Sequence, residues 1–160
     1  MTQTVVRAEE LRTFGAGVLQ AAGASADIAQ EVADHLVGAN LAGHDSHGVV
    51  RLTQYVGQVE AGQLDPVARP EVLRDSPGGA LIDAHRGFGP FSTAFAMDWA
   101  LERAQTHGIA AVAIRHSMHV GRLGHYTEKA AAAGAIGIVT AGAVGAEVGG
   151  MGVPLSLIHI

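Results

Sequence analysis

The sequence predicts an α/β fold with an all-helical start. Two β-branched apolar runs, residues 109–114 and 136–140, are long enough for strands and too short for helices. A stretch with helical spacing separates them, and single glycines punctuate the junctions. Strand–helix–strand order with such short stops is the pattern of α/β proteins. The first 70 residues, by contrast, carry helical spacing only.

Taken in order, residues 8–22 read as a helix with Leu11, Phe14, Val18 and Leu19 on one face, and Gly23 stops it. Ser25 is an N-cap for a second helix, where Asp27 favours the positive helix end. Ile28, Val32, Leu36 and Ala39 recur there at three- and four-residue spacing, up to Gly43. The polar link His44-Asp45-Ser46-His47-Gly48 leads into a third helix over residues 49–61, closed by Gly62. Residues 63–70 contain two prolines and read as a connector. Residues 71–74 and 80–83 read as short strands around the turn Ser76-Pro77-Gly78-Gly79. The cluster Gly87-Phe88-Gly89-Pro90 opens a long helix to residue 106, with Gly108 as its stop. Residues 109–114 form a strand expected to be buried, 116–124 a polar loop, 125–133 a helix, and 136–140 a second buried strand. The boundary near residues 63–75 divides a helical part, 1–70, from an α/β part, 71–154. Residues 155–160, Leu-Ser-Leu-Ile-His-Ile, match the translation of a transposase library adapter and read as a non-native tail on a truncated α/β unit.

Composition narrows the function. The chain has 160 residues, of which 48% are hydrophobic and 16% charged, so it can bury a core. Its formal charge is −5 and its ten Lys and Arg are scattered, which argues against nucleic acid as a partner. Cysteine is absent, which excludes disulfides, thiolate metal sites and a Cys nucleophile. No secretory leader or membrane-length apolar run is evident, so a soluble, cytoplasmic protein without a membrane partner is expected.

Two stretches could carry chemistry. His47, Arg51 and Tyr55 fall at i, i+4 and i+8, one stripe starting at a helix N-terminus. An imidazole, a guanidinium fork and a phenol on one face suit a small oxyacid, with Ser46 able to hydrogen-bond the imidazole or the substrate oxygen. A solvated helix face with a polar cap accounts for the same spacing. The second stretch, Ser117 to Tyr126, lies in a strand-to-helix crossover, where glycines and a helix start favour an anionic ligand. The dinucleotide fingerprint G-x-G-x-x-G is absent. His44, His47, His116, His119 and His125 leave open a His-based metal-dependent hydrolase, and a non-catalytic α/β binding domain is the third reading. His35 and His107 read as surface or half-buried helix residues, and His85 has no evident role.

Asp45-Ser46-His47-Gly48 with Arg51 and Tyr55, then Gly87-Phe88-Gly89, then His119-Val120-Gly121-x-x-Gly124-x-Tyr126 occur in this order. Together they resemble the malate/L-lactate dehydrogenase family of the non-Rossmann type, which includes ureidoglycolate and sulfolactate dehydrogenases and piperideine-2-carboxylate reductases. The resemblance covers residues 6–154 and implies the N-terminal half of a homodimeric enzyme. Its helical N-terminal part would be followed by a partial mixed sheet that is not doubly wound. It further implies an oxidoreductase using NAD or NADP on a small 2-hydroxy or 2-oxo acid. Carried over by motif, Ser46, His47 and His119 are catalytic, and Arg51 and Tyr55 bind substrate. His119, Val120, Gly121, Arg122 and Leu123 line the cofactor. The sequence departs from the family at Val120, where Phe is common, at Arg122, where a small residue is usual, and after Thr140, where Ala141-Gly142-Ala143 replaces Thr-Asn or Thr-Ser.

Overall fold

The computed structural model describes residues 5–142; the 155–160 tail and Ala143 lie outside the described residues. Helices α1 (Ala8–Ala21) and α2 (Ala26–Leu41) form an antiparallel pair closed by Gly23, whose φ of 102° few side chains tolerate. A 3₁₀ turn (Asp45–His47) leads to α3 (Arg51–Glu60). Ser25 caps α2 by backbone conformation only, because its hydroxyl hydrogen-bonds the Asp27 carboxylate at 2.7 Å instead of a helix N–H.

β1 (Glu71–Ser76) and β2 (Gly79–Asp83) make a hairpin with Ser76 opposite Gly79 and a bulge between Val72 and Arg74. Then α4 (Gly89–His107) crosses to β3 (Ala111–Arg115), which runs parallel to β2 with Asp83 opposite Arg115. Finally α5 (Gly124–Ala132) follows a loop. Helices followed by a small mixed sheet, in the order β1-β2-β3, are the predicted class. The main core joins Leu19 of α1, Ile28, Val32 and Leu36 of α2 and Tyr55 of α3 to Leu64 and Phe88, so the start of α4 packs onto the helices. A smaller cluster holds Ala94, Leu123 and Tyr126.

Four sequence expectations need correction. Phe14 does not face inward; it is 63% exposed. The inward stripe of α1 runs through Gly15, Ala16 and Leu19, and at about 100° per residue Phe14 falls roughly opposite its centre. Gly15 sits on that stripe because α2 approaches there, with Ala33 Cβ at ordinary contact distance from where a side chain would begin. His35 is neither surface nor half-buried but 1% exposed. The strand at 109–114 starts later, at Ala111, and alternates between exposed and half-buried residues, since β3 is the sheet edge and Ile109 before it is 76% exposed. Residues 136–140 are not a strand: among the described residues they have no neighbour to pair with, and Ile136 and Ile138 are 96% and 81% exposed.

The carboxyl ends of β2 and β3 are tied at Asp83. It accepts hydrogen bonds from the His85 N–H at 2.9 Å, Arg115 Nε at 2.8 Å and His116 Nδ1 at 3.1 Å. The His85 N–H, then Arg115 and His116, hold its carboxyl well below the usual range. These contacts offset the strain of left-handed backbone at His85, Arg86 and His116, with φ of 49°, 60° and 52°. The loop that leaves this knot passes over the first turn of α4. A Cβ on Gly89 would overlap the carbonyl oxygen of His119. Gly89→Ala is therefore expected to destabilise the chain by about 1–3 kcal/mol, the range for overpacking, and to lower the midpoint in a thermal melt by several degrees.

Candidate active site

The Ser46–His47 turn is held from α2. Asn40 Nδ2 donates to Asp45 Oδ1 at 2.6 Å, and Asn40 Oδ1 accepts the Val49 N–H at 2.9 Å. A Cβ on Gly48 would overlap the Asn40 amide, so only glycine lets the turn lie this close. Ser46 Oγ is 3.0 Å from His47 Nδ1. From the first residue of α3, Arg51 Nε donates to the Ser46 carbonyl at 2.6 Å and Nη1 donates to Gln54 Oε1 at 2.6 Å. Nη2 has no partner among the described residues.

The fold brings a second imidazole to this turn from far along the chain. Tyr55 is buried against Phe88, and its hydroxyl meets His119 Nδ1 at 3.0 Å. The His119 and His47 rings stack at 5.5 Å between centroids, inclined by 27°. Ser46, His47, Arg51, Tyr55 and His119 thus form one group. The next residues divide. His119 and Val120 are half-buried, whereas Gly121, Arg122 and Leu123 turn inward. Arg122 Nη1 donates to Glu128 Oε1 at 2.8 Å, with a second contact from Nη2 to the other carboxylate oxygen. Leu123 packs on Ala94 and Tyr126, and the Tyr126 hydroxyl donates to the Val120 carbonyl at 2.5 Å.

Sequence reasoning missed Asn40 and His35. Nothing in the sequence marks Asn40, whose partners are set by the turn's geometry. His35 did carry a signal, because it lies seven residues from Ile28 on the apolar stripe of α2. Its Nε2 accepts the Arg122 N–H at 2.9 Å.

The imidazoles are held neutral. Burial first, then Arg51 and His47, push His119 down to about 4, and burial, Arg51 and His44 lower His47. Burial, helped by His125 and Arg122, takes His35 down to about 3. The unfolded chain protonates His35 below its ordinary 6.5 while the folded chain does not. Stability is therefore complete above about pH 6.5 and falls as pH drops from 6.5 toward 3. Urea melts between pH 7 and pH 4.5 are expected to show a loss on the order of a few kcal/mol, reduced when His35 is replaced by Gln.

The profile of the malate/L-lactate dehydrogenase family matches residues 6–150. The chain belongs to this family. Among the relatives of the malate/L-lactate dehydrogenase type is hydroxycarboxylate dehydrogenase B of Escherichia coli (strain K12), 38% identical over 138 residues, which are 86% of this chain and 38% of that protein. A malate dehydrogenase of Pyrococcus abyssi is 41% identical over 130 residues, 81% of this chain and 36% of its own length. The crystal structure of malate dehydrogenase from Entamoeba histolytica superposes with a TM-score of 0.86 at 31% identity, covering 89% of this chain and 40% of that one. The chain thus spans about two fifths of the length of these relatives. Membership of the family leaves the metal-dependent hydrolase without support. Among the described residues, no three His, Asp or Glu side chains are grouped to hold an ion. Nor, among those residues, is any helix long and apolar enough to cross a membrane.

Proposed function

We infer that these residues are the N-terminal portion of an NAD- or NADP-dependent oxidoreductase that interconverts a small 2-hydroxy acid and its 2-oxo acid. The carrying observation is the stacked pair of imidazoles, His47 and His119, with ring centroids 5.5 Å apart beside the Arg51 guanidinium. Arg51 takes the substrate carboxylate with Nη2 and the remaining N–H of Nη1, since Nε is committed to Ser46 and the other Nη1 N–H to Gln54. The nicotinamide cofactor supplies the hydride exchange when bound. His119 and Val120, the half-exposed part of their loop, are the residues that touch it.

The chain's own side chains handle the proton. Oxidation of the alcohol releases one proton from the hydroxyl oxygen, and the acceptor is Nε2 of His119 or of His47. For His119 to accept there, Nδ1 must carry its hydrogen, which it then donates to the Tyr55 oxygen; Ser46 gives His47 the same support. A carboxylate seated on Arg51 offsets one of the positive charges that lower both imidazoles, so substrate arrival raises their proton affinity. Tyr55, being buried, acts through His119 rather than on the substrate directly.

The resemblance carries with it a homodimer, the sequence reading adds a cytoplasmic location, and the acidic composition argues against nucleic acid as a partner. The test is oxidation of NADH and NADPH by the complete enzyme against a panel of small 2-oxo acids. Turnover of at least one acid is expected. No turnover with any, together with unchanged NAD(P)H fluorescence on adding protein, overturns the reading.

A further inference from the structure

We propose that His35 is a positioning residue that sets where His119 stands relative to His47, through the Arg122 backbone N–H. Its relevance to turnover rests on the function proposed above; the geometry does not. The start of α4 holds the loop that carries His119 at its near end, where the Gly87 carbonyl accepts the Met118 N–H at 3.3 Å and the Ser92 and Ser117 hydroxyls meet at 3.2 Å; three further contacts bracket His119 itself. Tyr55 meets the His119 ring, Tyr126 holds the Val120 carbonyl, and His35 Nε2 accepts the Arg122 N–H at 2.9 Å. Only the last comes from α2. The same helix carries Asn40, which pins the Ser46–His47 turn. At a rise of about 1.5 Å per residue, one rigid helix thus spaces the anchors of both imidazoles.

The site around His35 admits little substitution. Gly121 has a φ of 74°, and a Cβ there would overlap His35 Nε2. The His35 ring stacks on Tyr126 at 5.4 Å and meets the edge of His125 at 4.6 Å. Because Nε2 accepts, the ring must be neutral with its hydrogen on Nδ1, a buried atom that has no partner among the described residues. A protonated ring would set N–H against N–H at Arg122. The charged and titratable groups around it are His125 and Arg122, the latter paired with Glu128, with His119 and His47 beyond. Phe at position 35 keeps the shape of the ring but leaves the Arg122 N–H buried and unpaired. Gln reaches the same place with a carbonyl oxygen and keeps the acceptor.

The experiment uses the chain labelled with ¹⁵N at histidine, read by NMR across pH, for wild type, His35→Phe, His35→Gln and Leu36→Ala. Leu36 is wholly buried on the same helix and makes none of the loop's hydrogen bonds, so its truncation weakens the core and leaves those fastenings in place. Wild-type His35 is expected to show an unprotonated Nε2 at neutral pH and no titration down to pH 5. His119, which burial holds near 4, is expected to move up toward 6.5 in His35→Phe as its loop loosens and water enters. His35→Gln and Leu36→Ala are expected to leave its midpoint in place. A protonated Nε2 on wild-type His35 overturns the proposal, and this arm needs no variant to fold. So does an equal shift in Leu36→Ala and His35→Phe, or no shift in His35→Phe. None of these readouts requires turnover, so they are separate from a failure of the dehydrogenase reading.

Discussion

His119→Ala and His47→Ala in the complete enzyme are each expected to lower kcat for 2-hydroxy acid oxidation, and the true proton acceptor by about 10²–10⁴. The two imidazoles stack at 5.5 Å between centroids, and each has Nδ1 against a hydroxyl and Nε2 without a hydrogen-bond partner among the described residues. The variant with the larger fall in kcat identifies the acceptor; the other residue then orients or polarises the substrate oxygen. His107→Ala, on an exposed helix end, and His85→Ala, whose ring lies at the surface against Glu71, are the controls and are expected to stay near wild type. Both imidazoles are pushed toward the neutral form, so the oxidation rate should fall as pH drops through the acceptor's midpoint. For His119 in the free enzyme that midpoint is about 4. Four variants with wild-type kcat would remove both imidazoles from the reaction.

Arg51→Lys is expected to lower kcat/KM for 2-oxo acid reduction by about a hundredfold with cofactor affinity nearly unchanged. Lysine keeps the positive charge but not the planar fork. The structure adds a second loss. Arg51 spends Nε on the Ser46 carbonyl and Nη1 on Gln54, so it stiffens the very turn that carries His47. A single ammonium cannot hold these two partners and a carboxylate in one fixed arrangement. Steady-state kinetics of the two proteins side by side decide the matter. Equal kcat/KM would reduce Arg51 to a surface charge.

Much of this site was legible in the sequence because its parts are local. The His47, Arg51 and Tyr55 stripe follows from helical spacing, and the glycines that end helices announce themselves by needing left-handed backbone, as at Gly23 and Gly108. What the sequence concealed depends on neighbours distant along the chain. The 136–140 run has the composition of a strand, but a strand exists only with a partner, and no described residue supplies one. His35 reads as an ordinary helix residue until Arg122 is brought to it. Phe14 reads as core because an aromatic usually is, whereas small Gly15 and Ala16 occupy the inward position and let α2 come close. The inward turn of Arg122 is likewise invisible without Glu128 and the φ of Gly121.

The hydrogen bonds that complete the site also say when it forms. Tyr55 meets His119 across 64 residues, and His35 meets Arg122 across 87, while α1 and α2 pair across a short turn. Closing a loop costs entropy that grows as about (3/2)RT ln n, and nothing repays it until both ends are seated. The helical pair can therefore condense early from local contacts, with His47 already in its turn. His119 joins only after β2, α4 and β3 have delivered the loop. Assembly of the paired imidazoles is thus expected late in folding, on the ground of the sequence separation between the residues that meet.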